Sequence, residues 1–314
     1  MKRFSAEGIL LLITLIWGVT FVIIKSALQD ISPMLFISFR FTLSALILSP
    51  FIKNLFNPGA KQIIKDGIFL GFLYFASFAT QTAGLKFTSA TKSGFITGTF
   101  IIFIPLFQFL IEKRIPGKGN FIGIFLAFIG LIFLSAKGTS FFEVFNEMGS
   151  GFNEGDFLTI ICAIFVALYI IYLDKISKRH DYKSLAFLQI GTTSVCSISA
   201  FIIFSLTGLE ETKLQLNENV VSALLYTSIL ATVFATFYQT KYQKKVTPAK
   251  AGIIFSFEPI FSALFAFFIL NEKISNFGLL GCFLIFSGLI ATEVIVRKTP
   301  SDINKKGDYN EQQL

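Results

Sequence analysis

Apolar residues in this chain run continuously for 18 to 23 positions and then give way to short polar clusters. At about 1.5 Å of rise per residue, a helix of that length crosses a hydrocarbon core of about 30 Å. Ten such runs are read: 8–25, 33–52, 67–86, 93–111, 119–136, 156–173, 184–206, 219–241, 250–270 and 277–296. They are continuous rather than alternating, which favours helices over a barrel, and lipid leaves no third way to satisfy the backbone. The predicted fold class is all-α integral membrane, with ten transmembrane helices.

Composition agrees. Of 314 residues, 54% are apolar and 15% charged, against about 45–50% and about 25% in soluble domains. The first run has the basic start of a signal peptide. It continues through Phe21 to Ile24 with no small-residue cleavage pattern, so it is read as a retained first span.

The net charge of +8 would suggest nucleic acid if it were clustered, but no stretch combines a basic face with stacking aromatics. Its placement says something else. Alternate inter-run segments, beginning with the N-terminus, hold 20 Lys and Arg, the intervening segments hold 6, and Arg40 lies inside a span. That bias places both termini in the cytoplasm with an even number of spans. The absence of any N-x-S/T site fits a bacterial inner membrane, and the polar tail 297–314 reads as disordered.

Several chemistries lack their parts. Cys162, Cys196 and Cys282 are distant from one another and fall within apolar runs without CxxC spacing, and His180 sits in a basic loop. A disulfide framework, a zinc site or a histidine-dependent nucleophile is therefore not expected. The spans carry no DDxxD and no paired carboxylates, so a membrane enzyme is not expected either, and no cofactor is implied.

The two halves resemble each other. At an offset of 158, Thr91–Gly94 falls on Ala249–Gly252, Gln81 on Gln239, Gly123 on Gly281 and Gly130 on Gly288. Upstream the offset is 148, laying Ile16–Ile24 over Ile164–Tyr172 and Arg40 close to Gln189. The domains read as a first repeat at 1–137, an extracytoplasmic linker at 138–155, a second repeat at 156–296 and the tail. Five spans per half is an odd number, so the repeats must be inverted. That architecture places a binding site between the halves near the midplane.

IWGVTFVIIKSALQDISPMLFISFRF (Ile16–Phe41), GLKFTSATKSGFITGTFIIFIPLF (Gly84–Phe107), GDFLTIICAIFVALYIIYL (Gly155–Leu173) and FSFEPIFSALFAFFILNEKI (Phe255–Ile274) resemble the signatures of the EamA-type drug/metabolite transporter family. The likeness covers residues 8–296. It implies a ten-helix carrier with cytoplasmic termini, whose members export amino acids, other metabolites or toxic compounds. Pro105 stands seven residues before Glu112 and Pro259 thirteen before Glu272, a departure from local symmetry.

Few polar residues remain inside the spans. Glu258 sits near the middle of one, where an ionised carboxylate costs about 2.5–3.5 kcal/mol on insertion scales. It would carry a proton, pair with a substrate amine, or tie helices together beside Pro259. Arg40 would bind a substrate carboxylate, hydrogen-bond a helix end or pair with Glu258. Gln81 and Gln239 are expected one at each mouth, as gates or as interhelical ties. Lys92 and Lys250 are expected to snorkel, and Glu112 and Glu272 to anchor loops. Trp17, Tyr169 and Tyr238 suit an aromatic cavity wall, and Gln189 and Thr97 complete the candidates. The glycine stripes of the fifth and tenth spans predict close packing, within the chain or in a homodimer.

The expected partners are the bilayer, a small-molecule substrate and protons. The function read is a secondary transporter that exports by alternating access. The competing class is a non-transporting scaffold or receptor, for which the repeat has no use.

Overall fold

A computed structural model describes residues 3–56, 60–113, 117–135, 153–270 and 275–298. Residues 138–152 of the expected linker 138–155, Glu272 with its flanking Asn271 and Lys273, and the tail 299–314 lie outside them.

Among the described residues, every predicted apolar run falls on helical segments. The elements are α1 (Arg3–Ala27), α2 (Pro33–Leu48), a 3-10 segment (Ser49–Phe56), α3 (Ala60–Phe87), α4 (Ala90–Gly98), α5 (Phe100–Phe107) and α6 (Lys118–Ser135). After these come α7 (Glu154–Ser177), α8 (Tyr182–Thr207), α9 (Glu218–Ser228), α10 (Ala235–Tyr242), α11 (Pro248–Phe255), α12 (Glu258–Leu270) and α13 (Asn276–Lys298). π-helical turns at Gln108–Glu112 and Ile229–Phe234 follow α5 and α9. Among the described residues, eight helical stretches are long and apolar enough to cross a membrane, and Lys118–Phe133 and Asn276–Ala291 are shorter apolar helices.

Helix starts follow local chemistry. Ser89 accepts from the Lys92 amide and Thr247 from the Lys250 amide, with Pro248 at the first helical position. Asn153 and Asp156 form a reciprocal capping box. Gly208, at φ +72°, closes α8 in the left-handed conformation that glycine adopts without strain.

Two of the predicted runs are broken in mid-course. The run 93–111 is interrupted at Thr99, between α4 and α5, and the run 250–270 at Ser256 and Phe257, between α11 and α12. Ala90 and Pro248, the first residues of α4 and α11, are themselves 158 residues apart.

Backbones approach closely where side chains vanish. A methyl group at Gly130 would sit 2.7 Å from the Gly281 carbonyl oxygen, and one at Gly288 would sit 2.7 Å from that of Gly123. The stripe of small residues is thus spent inside the chain, joining α6 to α13. Gly84 and Gly155 approach in the same reciprocal way between α3 and α7. One apolar core gathers Leu10, Phe100, Ile101, Leu131 and Phe255, and another gathers Phe36, Phe41, Leu70, Leu173 and Leu185. Outside these, Leu46, Phe125, Leu206, Phe268 and Phe283 are exposed, as a lipid-facing surface requires and a water-facing one avoids.

Candidate functional site

Between the halves lies a cavity of about 60 Å³, room for a few waters. Six of the nine sequence candidates line it: Trp17, Gln81, Thr97, Tyr169, Gln239 and Glu258. Both helix breaks border it, since Thr97 and Phe100 flank one and Phe255 and Glu258 flank the other. Gln81 and Gln239, expected at separate mouths, share this one chamber. Their helices converge on the cavity from opposite sequence halves, so equivalent positions meet instead of parting.

Glu258 opens α12, where the partial positive charge of a helix start favours a carboxylate. Pro259 follows it and contributes no amide hydrogen. No described side chain donates a hydrogen bond to the Glu258 carboxylate and no cation pairs with it. The Gln81 amide donates to Thr97 Oγ1 (3.3 Å) and that of Gln239 to Gln243 Oε1 (2.9 Å).

Arg40, Gln189 and Tyr238 do not reach the cavity surface. Arg40 is buried behind it, donating from Nε to Thr232 Oγ1 (2.8 Å). Its guanidinium carbon lies 4.5 Å from the centroid of Phe78 and 5.2 Å from that of Phe41. Aromatic faces thus hold the charge where Nη1 finds no hydrogen-bond partner. The expected pairing with Glu258 is not formed, because Phe78 and Tyr74 occupy the cavity wall. Gln189 stands one layer back, accepting from the Tyr169 hydroxyl (2.7 Å) and donating to Thr240 (3.2 Å). Tyr238 stacks within α10 on Tyr242 and against Phe234.

The π-helical turn at 229–234 offers Trp17 a backbone carbonyl and Arg40 a side-chain hydroxyl. A π turn displaces carbonyls from the i−4 ladder and frees them to accept other donors. Ala231 O receives the Trp17 indole N–H (3.0 Å), and Thr232 on the same turn receives Arg40.

The sequence reading missed Tyr74, Thr20, Ser77, Phe78 and Cys162 on the wall. Tyr74, whose hydroxyl bonds Thr236 (2.8 Å) and whose ring lies 4.9 Å from Tyr169, was the most legible of them: a polar aromatic seven residues, two helical turns, before Gln81.

Lys92 and Lys250 do not merely snorkel. Lys92 reaches the fully buried Asp156 (2.6 Å), which also accepts from Thr88 (2.7 Å) and the Asn153 amide (3.0 Å). Lys250, itself buried, pairs with Glu7. These pairs lie at opposite ends of the bundle. Glu7 lies in the second turn of α1, and Lys25, about 27 Å further along it, bonds the Leu85 carbonyl (2.8 Å) beside Thr88 and Asp156.

The model of the EamA-like transporter family matches residues 5–136 and again 153–293. The chain belongs to that family. It is 33% identical to an uncharacterized transporter of Archaeoglobus fulgidus, over 94% of this chain and 88% of the relative. A probable amino-acid metabolite efflux pump of Escherichia coli is 22% identical over 90% of this chain and 93% of its own length. A solved crystal structure superimposes with a TM-score of 0.74 at 17% identity, covering 95% of this chain and 99% of that one. The EamA-like chain is therefore a multi-pass membrane transporter, and the scaffold reading falls.

Proposed function

We propose that this transporter exports small metabolites, amino acids or toxic compounds among them, by alternating access between two inverted five-helix repeats. In this reading ten helices cross the plasma membrane, both termini are cytoplasmic and the central cavity is the transport site. The observation that carries it is the pair of helix breaks at Thr99 and at Ser256 and Phe257, at corresponding places in the two halves and facing one chamber. Interrupted helices at matching positions are the mark of binding sites in repeat-built carriers. The twofold family match and the reciprocal glycine contacts support the repeat. The efflux-pump name of the Escherichia coli relative supports the direction.

The two ion pairs give the motion its latches. Lys92–Asp156 and Lys250–Glu7 each join one half to the other. Opening toward the outside would break the first and keep the second; opening inward would do the reverse. Either opening enlarges a cavity that is too small, as it stands, for a metabolite. Glu258, lacking a partner, would take up a proton or a substrate cation as the chamber changes sides.

Purified protein in liposomes should move a metabolite with saturable kinetics, and Glu258→Gln should change the rate or its dependence on pH. Flux that survives Glu258→Gln with an unchanged pH profile would remove the coupling role. Flux no faster than in empty vesicles, across a broad extract of cellular metabolites, would remove the reading altogether.

A further inference from the structure

The hydrogen-bonding inventory of the cavity is one-sided. Four wall donors are turned onto the protein itself: the Trp17 indole onto Ala231 O (3.0 Å), the Thr20 hydroxyl onto Trp17 O (2.6 Å), the Ser77 hydroxyl onto Tyr74 O (2.8 Å) and the Tyr169 hydroxyl onto Gln189 (2.7 Å). Three acceptors remain over, Gln81 Oε1 among them, since Gln81 bonds only through its amide nitrogen. Gln239 Oε1 is buried with no partner, and the Glu258 carboxylate meets no donor among the described residues. Buried acceptors left unmade are costly, and a charged one most of all, so the wall awaits a donor.

The surrounding surface selects for charge as well. Trp17, Tyr74, Phe78, Phe100, Tyr169 and Phe255 line the same chamber, and the faces of such rings attract a cation. No lysine or arginine is among the lining residues. The nearby guanidinium of Arg40 is held behind Phe78. A solute carboxylate entering here would find a like charge at Glu258 and no free cation to receive it.

Resting on the reading of this cavity as the transport site, we infer that its solute is a primary ammonium ion carried on an apolar or aromatic body, with no carboxylate of its own. The ammonium hydrogens fill Glu258 and Gln239 Oε1, and the body lies against the rings. A zwitterionic amino acid presents the same ammonium, but its carboxylate has no place in the chamber. Amines therefore outrank the amino acids from which they differ by that one group.

The single tryptophan of the chain, Trp17, lines the cavity, so its fluorescence reports occupancy. The purified full-length protein is titrated with 2-phenylethylamine, phenylalanine and 3-phenylpropionate, which share a ring and differ in charge. The amine is expected to bind about tenfold or more tighter than either other compound, and Glu258→Gln to weaken it by about tenfold. Gln239→Leu, which removes another acceptor, should weaken it about threefold. Phenylalanine or 3-phenylpropionate binding as tightly as the amine overturns the inference. So does amine affinity unchanged in Glu258→Gln or, should that variant fail to fold, in Gln239→Leu. Flux measurements keep the two readings apart. Saturable transport of phenylalanine without amine binding overturns the ammonium assignment and leaves the transporter intact. Glu258-dependent amine binding without flux of any solute supports the assignment and removes export.

Discussion

The broken arms α4–α5 and α11–α12 begin alike and end differently. Each opens on a hydroxyl cap, Ser89 or Thr247, whose side chain accepts from the amide of a lysine three residues on. Each lysine then pairs with an acid near the start of a helix in the other half. Each arm breaks at the level of the cavity. There the likeness stops: the offset of 158 sets Phe100 against Glu258 and Thr97 against Phe255. The shared part is backbone, caps and ion pairs, which in the proposed mechanism govern how the halves move; the divergent part is the cavity wall, which in the same proposal governs what they hold. On that proposal, symmetry serves the motion and the chemistry comes from breaking it.

The largest effects should come from the shared part. Leucine at Gly130 or at Gly288 drives a side chain into the backbone of the facing helix, 2.7 Å from a carbonyl oxygen in each case. Overpacking against backbone that cannot yield costs about 3 kcal/mol or more. Both variants should lose most of their monodisperse protein in detergent, to a similar extent. One variant folding normally while the other fails would break the equivalence of the halves.

Within the cavity the arms should part company. Glu258→Gln is expected to reduce flux by about tenfold or more at unchanged thermal stability, whereas Phe100→Leu should leave it within about threefold. Equal losses would mean that the site is symmetric after all. The pH dependence of flux belongs to the same comparison, because only the second arm carries a titrating group at that position.

What was legible in the sequence follows the same division. Run length and continuity placed the described spanning helices, and the glycine pairs at a constant offset anticipated contacts that turned out to be reciprocal. The breaks were only partly legible: Gly98 precedes Thr99 and Pro259 follows Ser256 and Phe257 closely, but both places sit inside continuous apolar runs that read as single spans. Six cavity residues were found because a polar or large aromatic group inside a span is conspicuous. Arg40 was conspicuous for the same reason and lies behind the wall, since a charge can be held by ring faces as well as by water or substrate. Tyr74 and Phe78 were lost among the many aromatics, and two-sided apolar helices give no period by which to choose a facing.

The latches should yield intermediate effects of opposite sign. Lys92→Met releases the end held by Asp156, and Glu7→Gln releases the end held by Lys250. Each loss should shift the balance of access states by about 1–2 kcal/mol, roughly five- to thirtyfold. The shift can be read, with Cys162, Cys196 and Cys282 replaced by serine, as labelling of a Ser77→Cys variant by a membrane-impermeant thiol reagent added to either side. Lys92→Met should raise labelling from the face nearer Asp156 and Glu7→Gln from the opposite face. Shifts toward the same face would sink the latch proposal while leaving the cavity assignment untouched.

The smallest expected effect concerns another pair of corresponding helix starts, those of α2 and α8. Asp181 caps α8 by accepting from the Ser184 amide (3.1 Å), whereas Ser32 makes no side-chain cap on α2. That duty falls to Glu210, across the bundle in the α8–α9 loop, whose carboxylate accepts from the Met34 amide (3.0 Å). Burial pushes the Glu210 carboxyl above the usual carboxylate range, with the Met34 bond opposing the shift. A raised value means that the folded state holds this proton more tightly than the unfolded chain. The stability it contributes is therefore present in acid and is lost as pH rises through the folded value. Glu210→Gln keeps an oxygen to accept from Met34 and cannot ionise. Its Tm should match that of the parent near pH 5 and exceed it by about 1 °C at pH 8. A parent that gains on the variant as pH rises would show the cap to be strongest as an ionised group, making α2 and α8 alike in kind and different only in where the acid comes from.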